Sequence, residues 1–131
     1  MTERRQIATP HAPAAIGPYS QAMVGGGLVF TAGSLGLDPR SGQLVEGGTA
    51  AQAQQAIANL AAVLEAAGSS LDRVLKTTVF LVDMADYAAV NEVYRVAFAE
   101  PYPARTAVAV AGLPRGARIE LECVALAAES S

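Results

Sequence analysis

Reactive side chains are scarce in this chain. Among 131 residues there is one cysteine, one histidine, one lysine and no tryptophan. The single Cys123 excludes an intrachain disulfide, and its default setting is a reducing, cytoplasmic one. One His and one Cys, far apart in sequence, argue against a dedicated zinc site. A Ser/His/Asp triad would have to recruit His11 from a Pro-bearing N-terminal segment, a poor support for catalysis. Charged residues make up only 16% and the net charge is −3, with the nine basic residues dispersed except for Arg4–Arg5. That is not a nucleic-acid surface, which shows as clustered basic residues. Gly, Pro or a charge interrupts every apolar run short of the ~18 residues a membrane span needs. The N-terminal MTERRQIATPHAP has no hydrophobic segment after its basic residues, so it does not read as a secretory signal. Gly25-Gly26-Gly27 matches neither GxGxxG nor GxxxxGK, which removes a phosphate loop.

What the chain has in surplus is apolar surface. Hydrophobic residues make up 52%. By length this is one domain, residues 1–131, large enough for a core and apolar enough to bury part of itself against its own copies. The pattern is α+β. Tyr19–Val24 and Leu28–Ala32 read as strands joined at the glycine triplet, and Asp38–Gly42 as a second turn. A helix is predicted over Thr49–Ala67, with Thr49 and Gln52 as a capping box, Gly68 as its stop, and Ile57, Leu60, Val63, Leu64 and Ala67 as its buried stripe. Val74–Val82 is a β-branched strand with two mainly apolar faces, Val74/Lys76/Thr78/Phe80/Val82 and Leu75/Thr77/Val79/Leu81. A second helix follows over Tyr87–Phe98, capped by Asp86 and burying Val90, Val93, Tyr94 and Ala97. Arg105–Val110 and Arg118–Leu126 read as a closing hairpin around Leu113–Ala117, with Ile119, Leu121, Cys123 and Ala125 facing inward. Cys123 is thus a small core residue. A short extra strand near Arg5–Ile7 is compatible with this order. Two helices cover one face of such a sheet, so the other face calls for self-association.

One charge stands out. From Tyr102 to Pro114 the sequence is YPARTAVAVAGLP, and Arg105 is its only charged residue. A charge on an apolar strand is costly unless paired, and a guanidinium suits bidentate pairing with a carboxylate. Glu120 and Glu122 follow shortly in RIELECVAL. Two readings stand side by side: a pocket Arg that holds an anionic substrate beside a proton-handling carboxylate, or a structural Arg–Glu bridge.

Three extended segments carry a resemblance. APAAIGPYSQA (12–22), AAGSSLDRVLKTTVFLVDMADYAAVNEVY (66–94) and PARTAVAVAGLPRGARIELECVA (103–125) resemble the Rid (reactive intermediate deaminase, YjgF/L-PSP) family over nearly the whole chain. The resemblance implies a chorismate-mutase-like mixed sheet with two helices on one face, assembling as a trimeric barrel with clefts between subunits. It implies cofactor-free hydrolysis of reactive 2-imino or 2-enamino acids, released by pyridoxal-phosphate enzymes, to 2-keto acids and ammonia. The family's carboxylate-binding Arg falls on Arg105, its water-handling acid on Glu120, its GPY aromatic on Tyr19 and its substrate-lining glycine on Gly33. Asn91 matches a shared position that serves the site or holds a loop. Ala107 stands where several members carry Cys, Ser or Thr, leaving its backbone groups to serve. Ala32-Gly33-Ser34 replaces the frequent Ser-Gly-Gln, which bears on side-chain specificity. Alternative functions within the same pattern are a specialised hydrolase of a related C–N bond, a non-catalytic 2-keto-acid sensor and an endoribonuclease, the last disfavoured by the acidic balance.

Overall fold

A computed structural model describes residues 3–128 of the chain. Its strands are β1 (Arg5–Ile7), β2 (Ala22–Gly25), β3 (Leu28–Thr31), β4 (Ser34–Leu35), β5 (Val74–Leu81), β6 (Ala104–Ala109) and β7 (Ile119–Leu126). Two α-helices, α1 (Gly48–Ala66) and α2 (Tyr87–Ala97), complete the α+β fold among the described residues. The strands form one mixed sheet in the order β1-β2-β3-β7-β5-β6, with β4 also pairing β7.

The β2–β3 hairpin turns on Gly26 and Gly27, at φ 60° and 79°. Both positions of so tight a turn need positive φ, which glycine adopts without a Cβ penalty. α1 packs Ile57, Leu60, Val63 and Leu64 into the core. Each such side chain contributes roughly 1.5–3 kcal/mol when fully buried. Gly68, at φ 77°, ends the helix, and the Ser69 N–H reaches back to the Leu64 carbonyl at 2.8 Å. On the helix-covered face lie Thr77, Val79 and Leu81 of β5 and Ile119, Leu121, Cys123 and Ala125 of β7, all buried. The opposite face is open and exposes Phe30, Val108 and Leu126.

The structure corrects the sequence reading in four places. Arg105–Val110 and Arg118–Leu126 do not form a hairpin. β6 runs parallel to β5 as the far side of a β5–α2–β6 crossover, and β5 lies between β6 and β7. The faces expected for β5 hold only from Lys76 on. A register irregularity between Val74 and Lys76 buries Val74 opposite Ala125 and exposes Leu75. The Thr49–Gln52 capping box is not made: Gly47 precedes α1 without a side-chain cap. Thr49 Oγ1 donates to Asp86 Oδ2 at 2.8 Å instead, and Gln52 Oε1 accepts the Arg118 N–H at 2.8 Å. Asp86 does not cap α2 either. A 3-10 turn over Met84–Asp86 leads into that helix, and Asp83 caps the turn by accepting the Ala85 N–H at 2.9 Å. Asp86 accepts the Arg118 guanidinium at 2.9 Å. In each case a tertiary partner outcompetes the local one.

Candidate active site

The residues singled out by the sequence fall into two groups on opposite faces of the sheet. Parity fixes this. Arg105 pairs Thr77, which pairs Cys123, so Arg105 lies on the helix-covered face. Glu120 pairs Phe80, three residues from Thr77, and therefore lies on the open face. β5 also separates their strands, and neighbouring strands are about 4.8 Å apart. Within one chain Arg105 and Glu120 do not meet, so the Arg–Glu bridge is absent. Among the described residues the ion pairs are Arg95–Glu92 and Arg118–Asp86.

The Glu120 group sits at a break in the sheet. β3 and β4 pair successive stretches of β7, and Ala32-Gly33 interrupts them. The Thr31 hydroxyl bridges the break by accepting the Cys123 N–H at 2.9 Å. Gly33 is thereby laid against Glu120, and a Cβ built on it would stand 2.6 Å from the carboxyl carbon. Beside them opens a cleft of about 720 Å³, walled by Pro13, Tyr19, Gly33, Ser34, Pro114 and Glu120 among others. Tyr19 is exposed, and its hydroxyl accepts the Ile16 N–H at 3.5 Å. Burial, with the Glu122 charge as the smaller cause, pushes the Glu120 carboxyl above its ordinary 4.5. A carboxyl so perturbed in a cleft suits proton transfer to and from water. Ser34 Oγ donates to the Ala56 carbonyl at 2.7 Å, so this hydroxyl is bound to α1. Ala32 contributes only a methyl group.

The Arg105 group sits at the β6 edge. Its guanidinium has no acidic partner among the described residues. Instead Nη2 donates to the Tyr87 hydroxyl at 3.0 Å, and the guanidinium carbon stands 4.8 Å from the Tyr94 ring centre. Aromatic faces and a phenol oxygen relieve part of the desolvation cost without neutralising the charge. Ala107 shares Arg105's face and strand. The Val110 N–H bonds the Leu81 carbonyl at 2.8 Å, so by alternation the N–H and C=O groups of Arg105 and Ala107 point out of the sheet edge. Asn91, on α2 between the two tyrosines, has a buried Oδ1 without a hydrogen-bond partner. Arg105, Ala107 and Asn91 do not line the Glu120 cleft. The sequence reading missed Tyr87 as a site residue and gave Tyr94 only a core role. The spacing Tyr87, Asn91, Tyr94, at i, i+4 and i+7 on one helix face, was the available signal.

Cys123 is buried, and burial pushes its thiol up to about 11, which removes it as a nucleophile. Among the described residues no three His, Cys, Asp or Glu side chains gather as metal ligands. No helix of the described residues is long and apolar enough to cross a membrane.

Residues 9–127 match the family described as endoribonuclease L-PSP. The chain belongs to this family, the YjgF/L-PSP or Rid family. It is 51% identical over 123 residues to a mouse (Mus musculus) protein named 2-iminobutanoate/2-iminopropanoate deaminase, covering 94% of this chain and 91% of that one. Among solved structures it is similar to RidA from Psychrobacter sp. PAMC 21119, with TM-score 0.90 and 48% identity, covering 93% of this chain and 98% of the other. It is also similar to E. coli TdcF with bound serine, with TM-score 0.88 and 36% identity, over 95% and 99% of the two chains.

Proposed function

We propose that this chain is an imine deaminase that hydrolyses 2-imino acids such as 2-iminobutanoate and 2-iminopropanoate to 2-keto acids and ammonia. The observation that carries the reading is Arg105: a guanidinium held by aromatic side chains, with no acid to neutralise it among the described residues, ready for an anion. The names of the half-identical relatives support the substrate class. The serine bound to a TdcF relative is itself a small α-carboxylate.

In this reading Arg105 binds the substrate carboxylate through its fork, which fixes the imine carbon. Glu120 takes a proton from water as the oxygen attacks that carbon. The carboxyl gives that proton to the imine nitrogen, forming the carbinolamine. It then relays the carbinolamine hydroxyl proton to the same nitrogen as the C=O bond forms, the C–N bond breaks, and ammonia leaves with the keto acid behind. Tyr19 and Gly33 wall the cleft, while Ala107 offers backbone groups and Asn91 an amide oxygen at the Arg105 end. An α-imino acid is already electrophilic, so the scheme asks for no cofactor.

The two groups have to meet, and one domain (1–131) does not bring them together. We infer a homotrimer in which the open apolar faces pack together and each cleft takes Arg105 from one copy and Glu120 from its neighbour. A cytoplasmic role in removing reactive metabolites fits the single buried thiol. The dispersed basic residues give no support to a nucleic-acid substrate.

The test generates 2-iminobutanoate in situ with an amino-acid-consuming enzyme and follows 2-ketobutanoate release with and without this protein. Acceleration above the uncatalysed rate is expected, and its absence overturns the proposal. Light scattering should give three times the chain mass; a stable monomer at micromolar concentration overturns the assembly.

A further inference from the structure

We propose that Tyr87 is a positioning residue for substrate binding, its hydroxyl setting the direction in which the Arg105 fork faces; this rests on the reading that Arg105 binds the substrate carboxylate. A free arginine side chain samples many rotamers, and ordering it when substrate arrives weakens binding. Here it is ordered beforehand in two directions. The Tyr87 hydroxyl accepts from Nη2 at 3.0 Å, and the Tyr94 ring lies against the guanidinium at 4.8 Å. Tyr87's own ring is at 5.5 Å.

Both tyrosines are themselves fixed. Tyr94 is buried, its hydroxyl bonds the fully buried Thr77 Oγ1 at 2.7 Å, and its ring stacks on Phe98 at 4.4 Å between centres. Tyr94 is therefore a rigid floor. Tyr87 is the first residue of α2 and follows Asp86, whose carboxylate is held by Arg118 Nη2 and Thr49 Oγ1. The backbone that carries the Tyr87 hydroxyl is thus tied to α1 and to the start of β7. A guanidinium has five N–H donors. Tyr87 engages one of them, which leaves enough for a bidentate carboxylate. A neutral phenol oxygen orients the fork without competing for its charge, as an aspartate there would.

The consequence is a selective effect on binding. Tyr87→Phe keeps the ring and removes the oxygen. It should raise KM for 2-iminobutanoate about 5- to 10-fold with kcat within about twofold, because carboxylate binding is shared by ground and transition states. The Kd for 2-ketobutanoate, read by calorimetry, should rise in parallel. In an Arg105→Ala background the same substitution should change nothing further, since there is no fork left to orient. Thermal melting of Tyr87→Phe serves as the control and should match wild type. Unchanged KM and Kd in Tyr87→Phe, with Arg105→Ala weakening both, overturns the role of Tyr87 alone. Equal losses from Tyr87→Phe with and without Arg105 also overturn it, because they mark a general structural effect. Wild-type KM and Kd in Arg105→Ala overturn the carboxylate reading itself.

Discussion

Gly33 touches Glu120 so closely that no side chain fits between them: a Cβ at position 33 would stand 2.6 Å from the carboxyl carbon and 3.0 Å from Cγ. The obstructed atoms are the end of a flexible side chain, so the carboxylate can swing aside. Gly33→Ala should therefore melt within a degree or two of wild type yet lose about 10- to 100-fold in kcat, the effect of displacing a catalytic group by about 1 Å. Melting curves beside steady-state rates separate the two. A fully active Gly33→Ala would show that the position of the Glu120 carboxylate is not critical.

Glu120→Gln should lose on the order of 10²-fold in rate while still binding 2-ketobutanoate, because the amide keeps the shape but not the basicity. Burial and Glu122 raise the folded-state pKa of Glu120, so its ionised form costs stability above that pKa. The amide variant should accordingly be as stable as wild type at neutral pH, or more so. Wild-type kcat/KM should fall with decreasing pH at a point displaced upward from the ordinary glutamate value, in the direction burial pushes the Glu120 carboxyl. A rate–pH profile and paired melts check both signs.

Arg105→Ala should lower kcat/KM on the order of 10²-fold or more, the loss of a charge-assisted pair. Arg105→Lys should recover little, since a point charge does not reproduce the fork. Steady-state kinetics on 2-iminobutanoate decide this, with circular dichroism to verify the fold.

Asp86 gives the fold a pH signature. Hydrogen bonds from Arg118 and then Thr49 hold its carboxyl below the ordinary 3.8. A depressed folded pKa contributes stability above the unfolded value, and that contribution is lost as pH falls through the folded one. Asp86→Asn should thus be less stable than wild type near neutral pH, and the gap should close in strong acid. Melts of both proteins from about pH 7 down to about pH 2.5 read it.

The sequence revealed elements more readily than their partners. The Gly26-Gly27 turn and the α1 stripe were legible because each rests on local chemistry and periodicity. The β6 and β7 segments were recognised, but a turn signal at Leu113–Ala117 says only that the chain reverses, not which strand it rejoins. The insertion of β5 between them is a long-range fact. Thr49, Gln52 and Asp86 look like caps because short polar side chains do cap helices, and nothing local announced that Arg118 would recruit them. Arg105 was conspicuous as an isolated charge, and Glu120 as an acid in an alternating strand. Their placement on opposite faces depends on strand parity across β5, which no single segment encodes. The aromatic support of Arg105 was hidden because Tyr94 at helical spacing reads as core, and its ring is buried.

If, as proposed, each cleft takes Arg105 from one copy and Glu120 from its neighbour, each chain carries two half-sites which do not serve each other. Two impaired proteins should then repair one another. Mixed after partial unfolding and reassembly in equal amounts, Arg105→Ala and Glu120→Gln chains would place an intact Arg105 beside an intact Glu120 in about one cleft in four, if copies assort at random around a symmetric ring. Activity well above the residual level of either variant would emerge from the mixture, and no such gain would appear if each chain worked alone.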